Sequence, residues 1–198
     1  GTGGTYTINL SVSNGVGNAG TQTFTLTVNE APNITSANAV GFQAGTAATP
    51  FQFLATGFPA PSFSTSGTLP TGVTLSSTGE LAGTPAAGTG GTYAFTVTAS
   101  NGVGTDATQS FTITVNSPAQ VTTTSIANFT VGTSGSVSLA ASGTPATYTW
   151  STTSALPAGL SLSSSGVLSG TPAPGSAGNY SLAIAVSNGV GAADTKTL

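Results

Sequence analysis

Ionisable side chains are the residues that could do chemistry, and this chain has very few of them. Its 198 residues include four carboxylates, one lysine, Lys196, and neither His nor Cys. Nucleophilic triads and zinc sites therefore lack their members. Acid–base catalysis by paired carboxylates remains, but none of the acids recurs in the repeat described below. We expect the four acids to be solvated turn residues: Glu30, Glu80, Asp106 and Asp194. We accordingly expect that the chain is not an enzyme and that it binds no metal and no cofactor.

Tyr148 and Trp150 are the aromatic pair that could bind a ligand. Residues i and i+2 of a strand share one face, so the two rings are predicted to lie on the same side. We interpret Trp150, the only tryptophan, as a core aromatic equivalent to Phe63. The alternative is an exposed platform on which a sugar ring stacks, as in a carbohydrate-binding accessory module of a secreted enzyme.

The near absence of Lys and Arg argues against two classes of partner, nucleic acid and anionic membranes. Only 3% of residues are charged, and a single Lys or Arg cannot neutralise a run of phosphates. We therefore expect no nucleic acid as a partner. No stretch approaches the roughly 18 consecutive apolar residues of a membrane span, so we expect none.

An internal repeat of 87 residues organises the chain. A Gly-x-Tyr motif returns at Tyr6, Tyr93 and Tyr180, and Asn-Gly-Val-Gly returns at Asn14, Asn101 and Asn188. We predict that residues 1–30 are the C-terminal hairpin of a partial repeat. Residues 31–117 are then a complete repeat, and residues 118–198 a repeat lacking its last strand. Because the sequence starts and stops within repeats, we expect it to be a segment of a longer array of such repeats.

The apolar residues within each repeat alternate with Thr and Ser, a pattern typical of half-buried strands. Tyr6, Ile8, Leu10 and Val12 show it in the first segment. A turn with positive φ at Asn-Gly then joins this strand to the next one. About seven such strands in each repeat predict an all-β chain of tandem immunoglobulin-like sandwiches. The three predicted Asn-Gly turns are Asn14-Gly15, Asn101-Gly102 and Asn188-Gly189.

A longer motif lies between the aromatic strand and the Gly-x-Tyr strand. LPTGVTLSSTGELAGTP begins at Leu69, and LPAGLSLSSSGVLSGTP begins at Leu156. We predict structural turn roles for the residues that the two copies share. They are Pro70, Gly72, Gly79, Gly83 and Pro85 in the first copy, and Pro157, Gly159, Gly166, Gly170 and Pro172 in the second.

These motifs together resemble the bacterial immunoglobulin-like repeats related to dystroglycan-type cadherin domains. The resemblance implies a non-catalytic module, found in tandem in large bacterial surface and secreted proteins, and hence an extracellular location. Relatives with cadherin character bind Ca²⁺ through acidic clusters between domains. This chain departs from that pattern, because one carboxylate at the first junction, Glu30, and none at the second are too few for such a site.

The sequence thus favours a structural or adhesive repeat segment of a long bacterial extracellular surface protein, stalk or filament. Its expected partners are neighbouring repeats of the same chain, other copies in a fibre or sheath, and cell-surface glycans. The alternative function is the carbohydrate-binding accessory module.

Overall fold

The computed structural model describes residues 1–124 and 128–198. The described residues form strands, turns and loops, and none of them is in a helix. This part of the chain accordingly offers no helix of the length and apolarity that crossing a bilayer requires.

Residues 1–28 form an antiparallel hairpin of two long strands, β1 (Gly4–Val12) and β2 (Gly20–Val28). Gly4 pairs with Val28 at one end of the ladder and Val12 pairs with Gly20 at the other. The alternating apolar residues of both strands lie on one face, since directly opposed residues share a face.

Nine strands follow between residues 30 and 121. Two of the seven strands predicted from sequence are each interrupted, so they appear as β3 with β4 and as β5 with β6. The bounds are β3 (Glu30–Ile34), β4 (Ala39–Gln43), β5 (Phe51–Gln52), β6 (Ala55–Phe58), β7 (Ser62–Ser66), β8 (Val73–Leu75), β9 (Glu80–Gly83), β10 (Gly91–Ser100) and β11 (Ala107–Val121).

Seven further strands lie within residues 128–198. They repeat the order of the preceding set, with the end of β11 serving as the opening strand. The bounds are β12 (Gly135–Ser138), β13 (Ala141–Thr144), β14 (Thr149–Thr152), β15 (Leu160–Leu162), β16 (Val167–Gly170), β17 (Ala183–Ser187) and β18 (Asp194–Thr197).

The chain divides into two compact units. The first unit consists of residues 1–40, 47–85 and 92–113, and the second consists of residues 41–46, 86–91 and 114–198. β11 contributes residues to both, because it runs without a break through residue 117, where the sequence predicts a repeat boundary.

Two sheets enclose the core of the first unit. One sheet has the order β5–β9–β8, and the other contains β11–β10–β7 with β4 on the free edge of β11. Phe51 of β5 and Phe53, which directly follows β5, pack against Phe111 of the second sheet, with ring centroids 5.1 and 4.7 Å apart. Alternating residues of the long strands supply the rest of the core, because every second side chain points inward. The buried apolar residues include Val73, Leu81, Phe95, Val97, Ala99 and Ile113.

The second unit has the same arrangement. Its sheets have the orders β12–β16–β15 and β14–β17–β18, and β13 pairs with the end of β11. Upstream of β17, the tyrosine of the Gly-x-Tyr motif donates a hydrogen bond from its hydroxyl to a carbonyl four residues earlier, from Tyr180 to Ser176 at 2.9 Å. Such a bond back to the upstream backbone is a feature of immunoglobulin-type sandwiches. The core cluster consists of Ala119, Val121, Trp150, Leu168, Leu182, Ile184 and Val186.

Candidate functional site

Three of the five charged side chains form hydrogen bonds to the backbone, and the five do not converge on one place. Glu30, Glu80 and Asp194 lie in strands, so the prediction of solvated turn residues is wrong at these three positions. Asp194 accepts a hydrogen bond from the Val121 N–H at 2.8 Å, and the Lys196 ammonium donates to the Thr123 carbonyl at 2.8 Å. Glu30 accepts from the Gly3 N–H at 2.8 Å. Within residues 1–124 and 128–198, no three His, Cys, Asp or Glu side chains are placed to hold a metal ion. These groups are therefore arranged for structure.

We expect the thermal stability of the protein to be independent of divalent cations. A Ca²⁺ site takes six to eight oxygen ligands, usually with several carboxylates, and the described chain assembles no acidic cluster. Differential scanning calorimetry with EDTA and with added CaCl₂ should give the same Tm. A fall of several degrees in EDTA would reveal a site built from backbone carbonyls.

Trp150 lies in the core of the second unit and is 5% exposed. Tyr148 is half-buried, packs against the same cluster and donates a hydrogen bond to the Gly143 carbonyl at 3.1 Å. The two rings do share a side of the strand, but that side faces inward. The structure therefore corrects the alternative in which they form an exposed sugar platform, because a buried indole ring offers no face for stacking.

The Pro-x-Gly turns have the same geometry in both repeats. The Val73 N–H donates to the Pro70 carbonyl at 3.0 Å, and the Leu160 N–H donates to the Pro157 carbonyl at the same distance. Pro70, Pro85 and Pro172 are buried, and Pro157 is half-buried. The residue two places after the first proline, Gly72 or Gly159, has a φ of 89° or 91°.

Two further glycines in this motif are required by close approach of other groups. A Cβ on Gly83 would collide with the carbonyl oxygen of Gly72, and a Cβ on Gly170 would collide with that of Gly159. Gly79 and Gly166 have positive φ and lie directly under an aromatic ring, that of Phe63 or Trp150. The motif is thus a tightly packed hairpin. The lack of a side chain leaves room for a carbonyl oxygen at Gly83 and Gly170 and for an aromatic ring at Gly79 and Gly166.

The asparagine of the second and of the third Asn-Gly-Val-Gly motif does more than form a turn. The Asn101 amide nitrogen donates to the Glu30 carbonyl and to the Pro59 carbonyl, each at 2.8 Å. Its side-chain oxygen accepts from the Val103 N–H at 3.1 Å. We call this arrangement the Asn corner. It fastens the first strand of the repeat and the Phe58-Pro59 loop, which contains a cis peptide bond, to the last hairpin.

The second unit has an Asn corner with the same partners. Asn188 donates to the carbonyls of Ser117 and Pro145 at 2.9 and 3.0 Å. Its side-chain oxygen accepts from the N–H groups of Ala119 and Val190 at 3.1 and 3.2 Å. One side chain therefore satisfies four backbone groups from three segments.

The turn role predicted for these motifs does not include the Asn corner. Gly15, Gly102 and Gly189 do have positive φ, between 75° and 79°. In the first hairpin, Asn14 likewise accepts from the N–H two residues ahead, that of Val16, at 3.0 Å. A turn alone would accept Asp or Gly at this position, so the recurrence of Asn is the sequence feature that indicates a role for the amide nitrogen.

Comparison with known proteins agrees with this architecture. The sequence profile of a family described as Putative Ig domain matches residues 31–116 and residues 117–198. None of the curated proteins compared with the chain matches it.

Solved structures of immunoglobulin tandems share the fold. The titin I-band fragment I67–I69 is 16% identical, covering 98% of this chain and 72% of that one, with a TM-score of 0.53. Sidekick-1 immunoglobulin domains 1–4 are 19% identical, covering 100% and 57%, with a TM-score of 0.50. A putative alpha-galactosidase from Bacteroides fragilis is 27% identical over 46% of this chain, with a TM-score of 0.38. This chain spans 19% of that protein.

Proposed function

Because the chain belongs to the Putative Ig domain family, we propose that it is a non-catalytic structural and adhesive repeat segment of a long bacterial extracellular surface protein, in a stalk or filament. The tandem sandwiches support this proposal. So do the hydrogen bonds by which Asp194 and Lys196 hold backbone groups at the end of β11 and just beyond it. A surface of Thr, Ser, Gly and Ala with 3% charged residues gives little repulsion between neighbouring molecules, which favours association.

The pairing of β4 with β11 is the observation that carries the proposal. The Thr112 N–H donates to the Asn38 carbonyl at 3.0 Å, and the Ala44 N–H donates to the Asn116 carbonyl at 2.8 Å. Residue numbers rise together along the two strands, so the strands are parallel. Tension along the chain therefore pulls an opening strand and a closing strand of the repeat past each other, and their hydrogen bonds are loaded together in shear.

The Asn corner adds a second fastening to the opening strand. Asn101 holds the Glu30 carbonyl at the start of β3, whose Ile34 end pairs with Ala55 of β6. The opening strand, which receives the load, is therefore held by hydrogen bonds both at its first residue and along its length. This arrangement suits a spacer that must keep its fold under tension.

Single-molecule force spectroscopy on the 198-residue chain tests the mechanical role. We expect unfolding of the 87-residue repeat to release about 300 Å of contour length, as an extended chain spans about 3.5 Å per residue. Ala44→Pro removes one donor of the parallel pair and should lower the rupture force of this event. Ala44→Ser retains the N–H and is the matched control. A wild-type rupture force in the proline variant would show that β4 and β11 do not bear the load.

A further inference from the structure

Each Asn-Gly dipeptide of this chain is a site at which asparagine can be modified without an enzyme. The backbone nitrogen of the glycine loses its proton to solvent and attacks the side-chain carbonyl carbon of the asparagine. A C–N bond forms, and the amide nitrogen takes up a proton and leaves as ammonia. Water then opens the resulting succinimide ring to aspartate or isoaspartate, so OH replaces NH₂. Glycine favours the attack because it has no Cβ to obstruct it.

The dipeptide occurs three times, and its local sequence is the same each time. It lies within Ser-Asn-Gly-Val-Gly at residues 13–17, 100–104 and 187–191. In all three copies the asparagine oxygen accepts a hydrogen bond from the N–H two residues ahead. Neither the neighbouring residues nor the turn distinguishes the three asparagines, so a difference in their reactivity has to come from tertiary structure.

Tertiary hydrogen bonds hold the part of Asn101 that would leave in the reaction. Its amide nitrogen donates to the carbonyls of Glu30 and Pro59 at 2.8 Å each. An asparagine amide has two N–H donors, so both are in use. Attack makes the side-chain carbon tetrahedral and moves the nitrogen out of the plane in which these bonds hold it. The reaction therefore requires the Asn corner to open.

Asn188 is held in the same way, with one bond more. Its nitrogen donates to the carbonyls of Ser117 and Pro145 at 2.9 and 3.0 Å. Its oxygen accepts from the Ala119 N–H at 3.1 Å in addition to the bond within the turn. Attack on Asn188 thus disrupts bonds to two segments distant in the chain.

Asn14 has the turn without these tertiary bonds. Its side chain is exposed, and within residues 1–124 and 128–198 its amide nitrogen donates to no carbonyl. The attacking group is alike in the two hairpins, since the Gly15 N–H donates to the Ser13 hydroxyl at 3.3 Å and the Gly189 N–H donates to the Ser187 hydroxyl at 3.2 Å. Asn14 is therefore a reference for the turn alone within the same molecule.

We propose that the Asn corner protects Asn101 and Asn188 from succinimide formation in the folded protein, and that opening of a corner turns its asparagine into a modification site. The product does not restore the corner. An aspartate carboxylate has acceptors only, and it would face the two carbonyl oxygens that the amide nitrogen had served. Isoaspartate also inserts a carbon into the main chain of the turn. A transient opening is therefore converted into a permanent loss. The inference goes beyond the proposed spacer role and does not depend on it.

Peptide mass mapping of the 198-residue chain tests the protection. The chain is incubated in mildly alkaline buffer, either folded or in urea, and is then digested with chymotrypsin. This protease cuts after aromatic residues, so the three motifs fall in different peptides. Protection lowers the rate to the fraction of time for which the corner is open. In the folded chain we expect Asn101 and Asn188 to react about tenfold or more slowly than Asn14. In urea all three should react at one rate.

Equal rates at the three sites of the folded chain would overturn the inference, because the turn alone would then set the rate. The same conclusion follows if Asn101 and Asn188 react as fast in buffer as they do in urea. Incubation at acidic pH is the control for the chemistry, since the glycine nitrogen then keeps its proton and no site should change.

Refolding after modification tests the loss of the corner. The chain is held in alkaline urea until Asn188 is converted and is then returned to buffer, whereas the matched control is held in acidic urea. Trp150 is the only tryptophan and lies in the core of the second unit, so its fluorescence reports on that unit. The urea midpoint of the modified chain should fall to that of Asn188→Asp or below it, and the control should return to the wild-type midpoint. A wild-type midpoint for the modified chain would show that the corner tolerates a carboxylate, and the inference would fail.

Discussion

Replacing Gly170 by alanine is expected to lower the free energy of unfolding of the second unit by about 3–5 kcal/mol, through backbone strain and a steric collision. Gly170 has a φ of 142°, which side-chain-bearing residues rarely adopt. A Cβ there would also overlap the carbonyl oxygen of Gly159, and that carbonyl accepts a hydrogen bond from the Thr171 N–H at 3.1 Å. The clash therefore involves backbone that is held in place.

Urea unfolding followed by tryptophan fluorescence measures this loss, because Trp150 is the only tryptophan and is buried in the second unit. Gly175→Ala is the matched control. Gly175 also has a positive φ, of 85°, but a Cβ there would have no neighbour within 4 Å. It should cost only the strain of a left-handed residue, about 1–2 kcal/mol. Equal losses in the two variants would mean that the Gly159 carbonyl moves aside without cost.

Replacing Asn188 by alanine is expected to cost the second unit about 2–4 kcal/mol, because part-buried backbone groups lose their partners. The side chain serves the Ser117 and Pro145 carbonyls and the Ala119 and Val190 N–H groups. Asn188→Asp should be no better than alanine, since it directs a carboxylate oxygen at two carbonyl oxygens. The same fluorescence signal reports both variants.

Ser187→Ala is the control for the Asn corner. The Ser187 hydroxyl accepts a hydrogen bond from the Gly189 N–H at 3.2 Å, which is local to the turn. Its removal should cost about 1 kcal/mol or less. If Asn188→Ala were as mild as Ser187→Ala, the asparagine would act in the turn alone, and the Asn corner would not hold the opening strand.

The repeat and its strands follow from the sequence, and the prediction of an all-β chain of tandem immunoglobulin-like domains is confirmed. The physical reason is that alternation with a period of two requires only the pleat of the strand itself. The recurring glycines were also open to prediction as structural residues, since a positive φ is a local property of the backbone. The collisions that would follow at Gly83 and Gly170 involve carbonyls contributed by another strand end.

Tertiary structure decided which faces are covered and which atoms the polar side chains meet. Sequence placed Tyr148 and Trp150 on one side of a strand, but only the position of the opposite sheet shows that this side is the core. Asn101 reaches a carbonyl 71 residues away, a partner that a local motif does not contain. Burial depends on strands distant in the chain that pack against a residue, whereas alternation depends only on its neighbours.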